Sequence, residues 1–287
     1  MHKAEQLLLN NRRAVVNDRV FWLLAWTAGA IGLLLPLSII GYLLFHGFQV
    51  LSWSFISEVP RGYPLGVSGG ILPAIQGSLA VTGLGLAVAF PAALASAIYL
   101  SEYAQSQRFV AVMRFFTECL AAIPAILFGV FGYAFLVVQF GFGISVLSGG
   151  LTLAMLMYPV ILVGSYSAFN AVERPLKESA LSLGVSRAYV IRRTLLPKAL
   201  PGIIAATVLA AGHAVGSAAP VLFTASVVQT RSSPSLDSPV MTLPTHLYNL
   251  VSEAVSFEHA YGTAFVLIAC LLFANSCAMM LRHRLRK

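Results

Sequence analysis

Residues 177–202 read KESALSLGVSRAYVIRRTLLPKALPG, the one long stretch of this chain with the composition of a water-soluble protein. It carries Lys177, Glu178, Arg187, Arg192, Arg193 and Lys198, two prolines (Pro197 and Pro201) and Gly184. Apolar runs flank it, Leu151–Asn170 before and Gly202–Ala225 after, each as long as the ~20 residues that cross a hydrocarbon core of ~30 Å. A charged segment tied at both ends to such runs reads as a structured loop between two membrane spans.

Composition extends that reading to the whole chain. Apolar residues make up 58% of the 287 residues and charged residues 10%, against about 25% charged in a soluble domain. Too little polar surface is left to face water, so the chain is an all-α integral membrane protein. Six spans are expected: Phe21–Phe45, Ile71–Leu100, Val110–Phe140, Leu151–Asn170, Gly202–Ala225 and Ala260–Leu281. The first is longer than the ~7–15 apolar residues of a secretory signal and lacks a clear cleavage site, so it is expected to remain as a span.

Lys and Arg set the orientation. With the N-terminus inside, all of the 18 except Arg61 and Arg231 fall in inner segments. Residues 1–20 and the basic tail 282–287 are then cytoplasmic, and 21–281 form one transmembrane domain. The net charge of +8 is on this account a topology signal, and nucleic-acid binding a poor explanation for it. The expected surroundings are membrane lipid and other protein chains.

Two motifs of covalent chemistry are missing. No Lys follows a Gly, so there is no phosphate-binding Walker A loop, and H-E-x-x-H does not occur. If ATP drives this protein, another chain hydrolyses it. Cys119, Cys270 and Cys277 lie within spans without metal-ligand spacing and are expected to pack as small apolar residues.

Small residues recur every fourth position in two spans. Gly85, Ala89, Ala93 and Ala97 form a ridge in span two, and Gly202, Ala206, Ala210, Ala214 and Ala218 form one in span five. Such ridges let helices approach closely in lipid. Ionisable and polar groups within spans are functional candidates. Glu118 follows Arg114 by four residues, which also suits a local pair. His213 and Ser217 share a face of span five with Ala206 and Ala210, and can line a path or bond a neighbouring helix.

Within the loop, Leu176, Ala180 and Leu183 fall on one face of a first helix, and Gly184 suits the left-handed residue past its end. Ser186 can cap a second helix whose Ala188, Ile191 and Leu195 share a face. Pro197 and Pro201 are expected to break it before span five.

The order Glu178-Ser179-Ala180, three residues, Gly184, nine residues, Thr194, one residue, Leu196-Pro197 resembles the EAA motif of ABC importer permeases, E-A-A-x3-G-x9-I-x-L-P, with Ser179 for Ala and Thr194 for Ile. GGILPAIQGSL (Gly69–Leu79), IYLSEYA (Ile98–Ala104), IPAILFGVFG (Ile123–Gly132), GSAAPVLFTA (Gly216–Ala225) and MTLPTHLYN (Met241–Asn249) are similar to the PstA-type permeases of phosphate importers. The resemblance implies a MetI-like type I importer fold, with a core over about 71–281 and a coupling loop over 171–201. It implies that Glu178, Ser179, Ala180, Leu183, Gly184, Leu196 and Pro197 couple the chain to an ATPase. It further implies a second permease of PstC type, a PstB-type ATP-binding dimer that holds ATP and Mg, and a PstS-type phosphate-binding protein outside. No cofactor or metal is expected in this chain, and the chain is expected not to be an enzyme.

One segment departs from the family. Where the family has R-A-x-G-E-T-A-P, this chain has His213-Ala214-Val215-Gly216-Ser217-Ala218-Ala219-Pro220, so an Arg and a Glu one turn apart are both replaced. Removing both partners of a buried pair is near neutral, whereas removing one strands a charge. Cargo other than phosphate, either another oxyanion or a phosphonate, stays open on this reading. A stand-alone ion-coupled transporter is the more distant alternative, disfavoured by the scarcity of ionisable groups in the spans and the lack of an internal repeat.

Overall fold

The computed structural model describes residues 2–63, 66–173, 175, 182, 184–228, 230 and 234–286, with side chains for those within 18–280. α1 runs from His2 to Val50 as one uninterrupted helix. At ~1.5 Å per residue its 49 residues extend roughly 70 Å, more than twice the hydrocarbon thickness, so helix continues beyond the bilayer. Among the residues described with side chains, its C-terminal end packs against the last long helix (α11, Phe257–Arg286). There Gly47 admits the Tyr261 carbonyl and Phe265, and the Tyr42 ring meets the Tyr261 ring edge-on at 5.9 Å.

The centre of the fold is α6, Val146–Asn170, started by Ser145, whose hydroxyl accepts from the Ser148 N–H at 3.2 Å. On one side lies α3, Leu72–Ile98, and on the other α8, Leu196–Gly216. The span-two ridge is the α3 contact. Ala89, Ala93 and Ala97 are buried, and a methyl on Gly85 would stand 2.9 Å from the Gly150 carbonyl oxygen of α6. The span-five ridge is the α8 contact, with Ala206, Ala210 and Ala214 buried and Gly164 of α6 seated on Ala206. Both ridges therefore pack helices within this chain.

Among the described residues five helices are long and apolar enough to span, and the third expected span, Val110–Phe140, makes the sixth only as a bent pair. It is a helix α4, Gln107–Ala121, then α5, Ala125–Gly132, which a π-helical turn extends to Gln139, and the two halves meet at 92°. Pro124 is the cause. It lacks an N–H and disfavours helical geometry at Ile123, so α4 ends at Ala121 and Pro124, with ψ 136°, begins α5.

Span five also differs from expectation. Arg187 to Gly216 is one helical run: α7, Arg187–Val190, a π-helical turn, Ile191–Leu195, and α8. Pro197 and Pro201 do not break it. In the wide turn the Leu196 N–H bonds to the Ile191 carbonyl, five residues back. This resets the ladder so that Pro197 falls in the first turn of α8, where no N–H is needed. The break comes later, at Ser217 (ψ 103°), followed by the short helix α9, Ala218–Thr224. Cys119, Cys270 and Cys277 are exposed on the chain rather than packed.

A cap of short elements closes the end opposite the Lys177–Gly202 loop. It comprises α2 (Trp53–Ser57), a two-stranded hairpin (β1, Pro60–Arg61, with β2, Ser68–Gly69) and α10 (Leu243–Ser252). Thr242 and Thr245 cap α10 reciprocally, and the Leu243 N–H bonds the Ser78 hydroxyl of α3 at 2.8 Å. His246 of α10 is 1% exposed, and among the described residues its Nδ1 has no hydrogen-bond partner. Burial, then the nearby His259, lowers its pKa from 6.5 to about 4. The folded state thus takes up this proton less readily than the unfolded chain. Stability should fall as pH drops from 6.5 towards 4, by at most about 3 kcal/mol for this group. His246→Leu should flatten the melting temperature across that window, and an unchanged slope would remove His246 as the cause.

Candidate functional site

The loop that joins α6 to α8 is built onto the fold through its second helix. Gly184 has φ +73°, the left-handed geometry that glycine adopts without strain. The Ser186 hydroxyl then accepts from the Tyr189 N–H at 3.3 Å and starts α7. Val190, Ile191 and Leu195 are buried and pack with Ala97 of α3, Phe169 of α6 and Ala199 and Ile203 of α8. Ala188, expected on this face, is exposed, because the π turn rotates the residues after it relative to a regular helix. Leu196 is half-buried and Pro197 exposed beside the exposed cations Arg192, Arg193 and Lys198. Glu178, Ser179, Ala180 and Leu183 lie outside the described residues.

The end of α3 abuts this assembly. A π turn, Tyr99–Tyr103, ends α3, and residues Ser101–Gln105 share a cavity of about 280 Å³ with Arg187 and Val190. Force applied to the loop therefore meets α3, α6 and α8 together.

The three candidate pathway residues fall in two places. On α4, Arg114 Nη2 donates to Glu118 Oε1 at 3.1 Å, with both side chains about half exposed, and the guanidinium carbon lies 5.1 Å from the Tyr166 ring centre. Glu118 is thus held as half of a neutral local pair. At the end of α8 the Ser217 hydroxyl donates to the His213 carbonyl at 2.7 Å. His213 is exposed and Ser217 half-buried, whereas Ala206 and Ala210 are buried, so the α8 face that is packed earlier along the helix opens at this end. Among the described residues no hydrogen bond or ion pair joins Glu118 to His213 or Ser217.

The one-turn spacing of 213 and 217 makes the missing charge pair testable. His213→Arg alone places an unpaired cation at this opening and should lower membrane yield and transport. Adding Ser217→Glu should recover much of the loss through an i, i+4 pair. Additive damage in the double variant would rule out the pair interpretation.

A feature beyond sequence reasoning is the pairing of two half-helices. A methyl on Gly129 of α5 would stand 2.9 Å from both the Ala219 carbonyl oxygen and Pro220 Cα of α9. Gly132, three residues on, sits against Thr152 and Thr224. The contacts advance together along both chains, so α5 and α9 run parallel, with the breaks at Pro124 and Ser217 at the same end. The sequence signal was the Gly129–Gly132 spacing, but nothing in it names the partner.

The comparisons with known proteins bear on what this arrangement belongs to. The model of a family described as "Binding-protein-dependent transport system inner membrane component" matches residues 89–287. The chain is 28% identical over 249 residues to a probable ABC transporter permease protein, YqgI, of Bacillus subtilis, covering 81% of this chain and 84% of that protein. It is 30% identical over 217 residues to the phosphate transport system permease protein PstA 1 of Mycobacterium tuberculosis, covering 75% and 71%. To PstA 2 of Mycobacterium bovis it is 33% identical over 236 residues, covering 77% of each. Among solved structures, an inward-facing MetNI methionine ABC transporter matches with a TM-score of 0.63 at 17% identity, covering 75% of this chain and 95% of that one. A bacterial alginate ABC transporter in complex with its pentasaccharide-bound periplasmic protein matches at 0.61 and 17%, covering 92% and 94%. These two likenesses establish the fold. The chain belongs to the family of binding-protein-dependent transport system inner membrane components, within the group of ABC importer permeases that includes the PstA proteins.

Proposed function

We propose that this chain is the permease subunit through which an ATP-driven importer moves inorganic phosphate across the cell membrane. The observation that carries the reading is its 30–33% identity to proteins named as phosphate permeases, sustained over most of both chains. A PstC-type permease pairs with it so that the pathway lies between the two. A PstB-type dimer binds ATP and Mg and performs the hydrolysis, and a PstS-type protein delivers phosphate from outside. The chain itself makes and breaks no covalent bond. Glu178, Ser179, Ala180, Leu183 and Gly184 dock on the ATPase, and Leu196 and Pro197 pass the movement into α8. His213 and Ser217, with Glu118 further along, contribute to the path. Both termini and the loop face the cytoplasm, in keeping with the distribution of Lys and Arg.

Uptake of labelled phosphate by cells carrying the chain with its partner subunits tests the cargo. Competition by unlabelled phosphate is expected, and transport of a phosphonate or another oxyanion unaffected by phosphate would overturn the assignment. Orientation is tested separately. Ser235→Cys, exposed in the cap, should react with a membrane-impermeant thiol reagent added outside, and Ser186→Cys should not. The opposite labelling would reverse the topology.

A further inference from the structure

The helical run from Arg187 to Gly216 could be wound in two registers, and burial shows which one the chain adopts. On a regular helix, Ala188 lies seven residues before Leu195 and within ~20° of it, whereas Val190, five before, lies ~140° away. The observed burial is the reverse. Val190 and Leu195 are each 2% exposed, and Ala188 is exposed. The π turn Ile191–Leu195 accounts for this, since its bonds reach five residues back and bring Val190 round to the Leu195 side.

Two residues decide between the registers. A regular ladder would draw its next bond from residue 197 to the Arg193 carbonyl, but Pro197 has no N–H, and its ring collides with that carbonyl. The wide turn ends one residue earlier, at the bond from the Leu196 N–H to the Ile191 carbonyl. Proline by itself does not impose a wide turn, because α3 and α6 run through Pro91 and Pro159 as regular helix. At 197 it removes the advantage of the regular ladder where the wide one also buries Val190, in a cluster with Ala97 of α3 and Phe169 of α6.

We propose that Pro197 and Val190 are positioning residues: together they hold α7 one residue out of register with α8, and this offset aims the docking part of the loop. One residue of helix is a rotation of ~100°. Only Val185 and the cap Ser186 separate α7 from Gly184, so such a rotation passes directly into the turn before it. The end of α3 also leans on this face, where Ser101–Gln105 border the cavity shared with Arg187 and Val190. The consequence for coupling rests on the reading of the loop as the ATPase contact, whereas the register itself does not.

The test uses the full chain expressed with its partner subunits and carrying Cys119→Ser, Cys270→Ser and Cys277→Ser. Ala188→Cys or Val190→Cys is then added, and membranes opened to both faces are treated with a thiol reagent. Ala188→Cys should label and Val190→Cys should stay protected. With Pro197→Ala the two should exchange, and phosphate uptake and co-purification of the ATPase should be lost. Deletion of Arg193, exposed in the wide turn, leaves four residues where a regular turn holds ~3.6. Made together with Pro197→Ala, it should restore the labelling pattern, the ATPase and uptake, a rescue that simple damage to the loop does not allow. Pro197→Ser repeats the test if Pro197→Ala fails to insert. Labelling unchanged by removal of the proline would overturn its role, and exchanged labelling that the deletion does not reverse would overturn the register. Exchanged labelling with normal uptake would overturn the link to coupling. If no ATPase co-purifies with the unaltered chain, the docking reading fails, while the labelling still decides the register.

Discussion

Gly184→Asp is expected to reduce phosphate uptake at least about tenfold while the protein still inserts and folds. Gly184 has φ +73°, is exposed, and among the described residues has no atom within 4 Å of where a Cβ would lie. An aspartate there meets no steric obstacle from the described residues, and the left-handed backbone costs it at most about 1–2 kcal/mol. That cost falls on the turn joining the proposed docking helix to α7. Relaxing it changes the angle at which the loop delivers force to α3, α6 and α8, and a new carboxylate appears on the docking surface. Gly184→Asn is the control, since asparagine tolerates this geometry and adds no charge, and it should retain uptake. The two measurements are labelled-phosphate uptake and co-purification of the ATPase. Normal uptake by the aspartate variant with the ATPase bound would remove Gly184 from the coupling path.

Gly164→Leu is expected to cost ~3 kcal/mol or more and to collapse the yield of folded protein. At this crossing α6 and α8 touch through two pairs of small residues, Gly164 on Ala206 and Gly202 on Ala168. A methyl on Gly202 would already stand 2.7 Å from Ala168 Cβ. Overpacking costs ~1–3 kcal/mol where neighbours can move. Here the neighbour is a methyl fixed to a helix backbone, so the helices themselves must separate. Gly164→Ala should be intermediate, and Ala206→Gly combined with it should restore thermal stability in detergent, since the two exchanges trade one methyl across the contact. Failure of that rescue would show that α6 and α8 do not meet through this seam. Because α8 continues directly from α7, a variant that folds but holds α8 away from α6 should also transport poorly.

Much of this architecture was set by local and compositional physics that needs no tertiary contact. A chain with 10% charged residues must live in lipid, and lipid permits only helices where the backbone is exposed to it. The lengths of the apolar runs, the left-handed Gly184 and the Ser186 cap followed from the same rules, because each rests on a few adjacent residues. Tertiary structure decided where the proline effects fell. Prolines within the expected spans look alike in sequence, yet α1, α3 and α6 continue through Pro36, Pro91 and Pro159, the third span turns through 92° at Pro124, and Pro220 lies inside α9 just past the break at Ser217. Whether a freed carbonyl bends a helix depends on what the neighbouring helices supply in its place. Pro197 escaped its expected role because a wide turn upstream had reset the hydrogen-bond ladder, an adjustment that burial of Val190, Ile191 and Leu195 stabilises. The pairing of α5 with α9 was likewise invisible beforehand. Gly129 and Gly132 mark a surface that something approaches closely, and only the folded chain shows that the approaching surface is Ala219, Pro220 and Thr224, about 90 residues away.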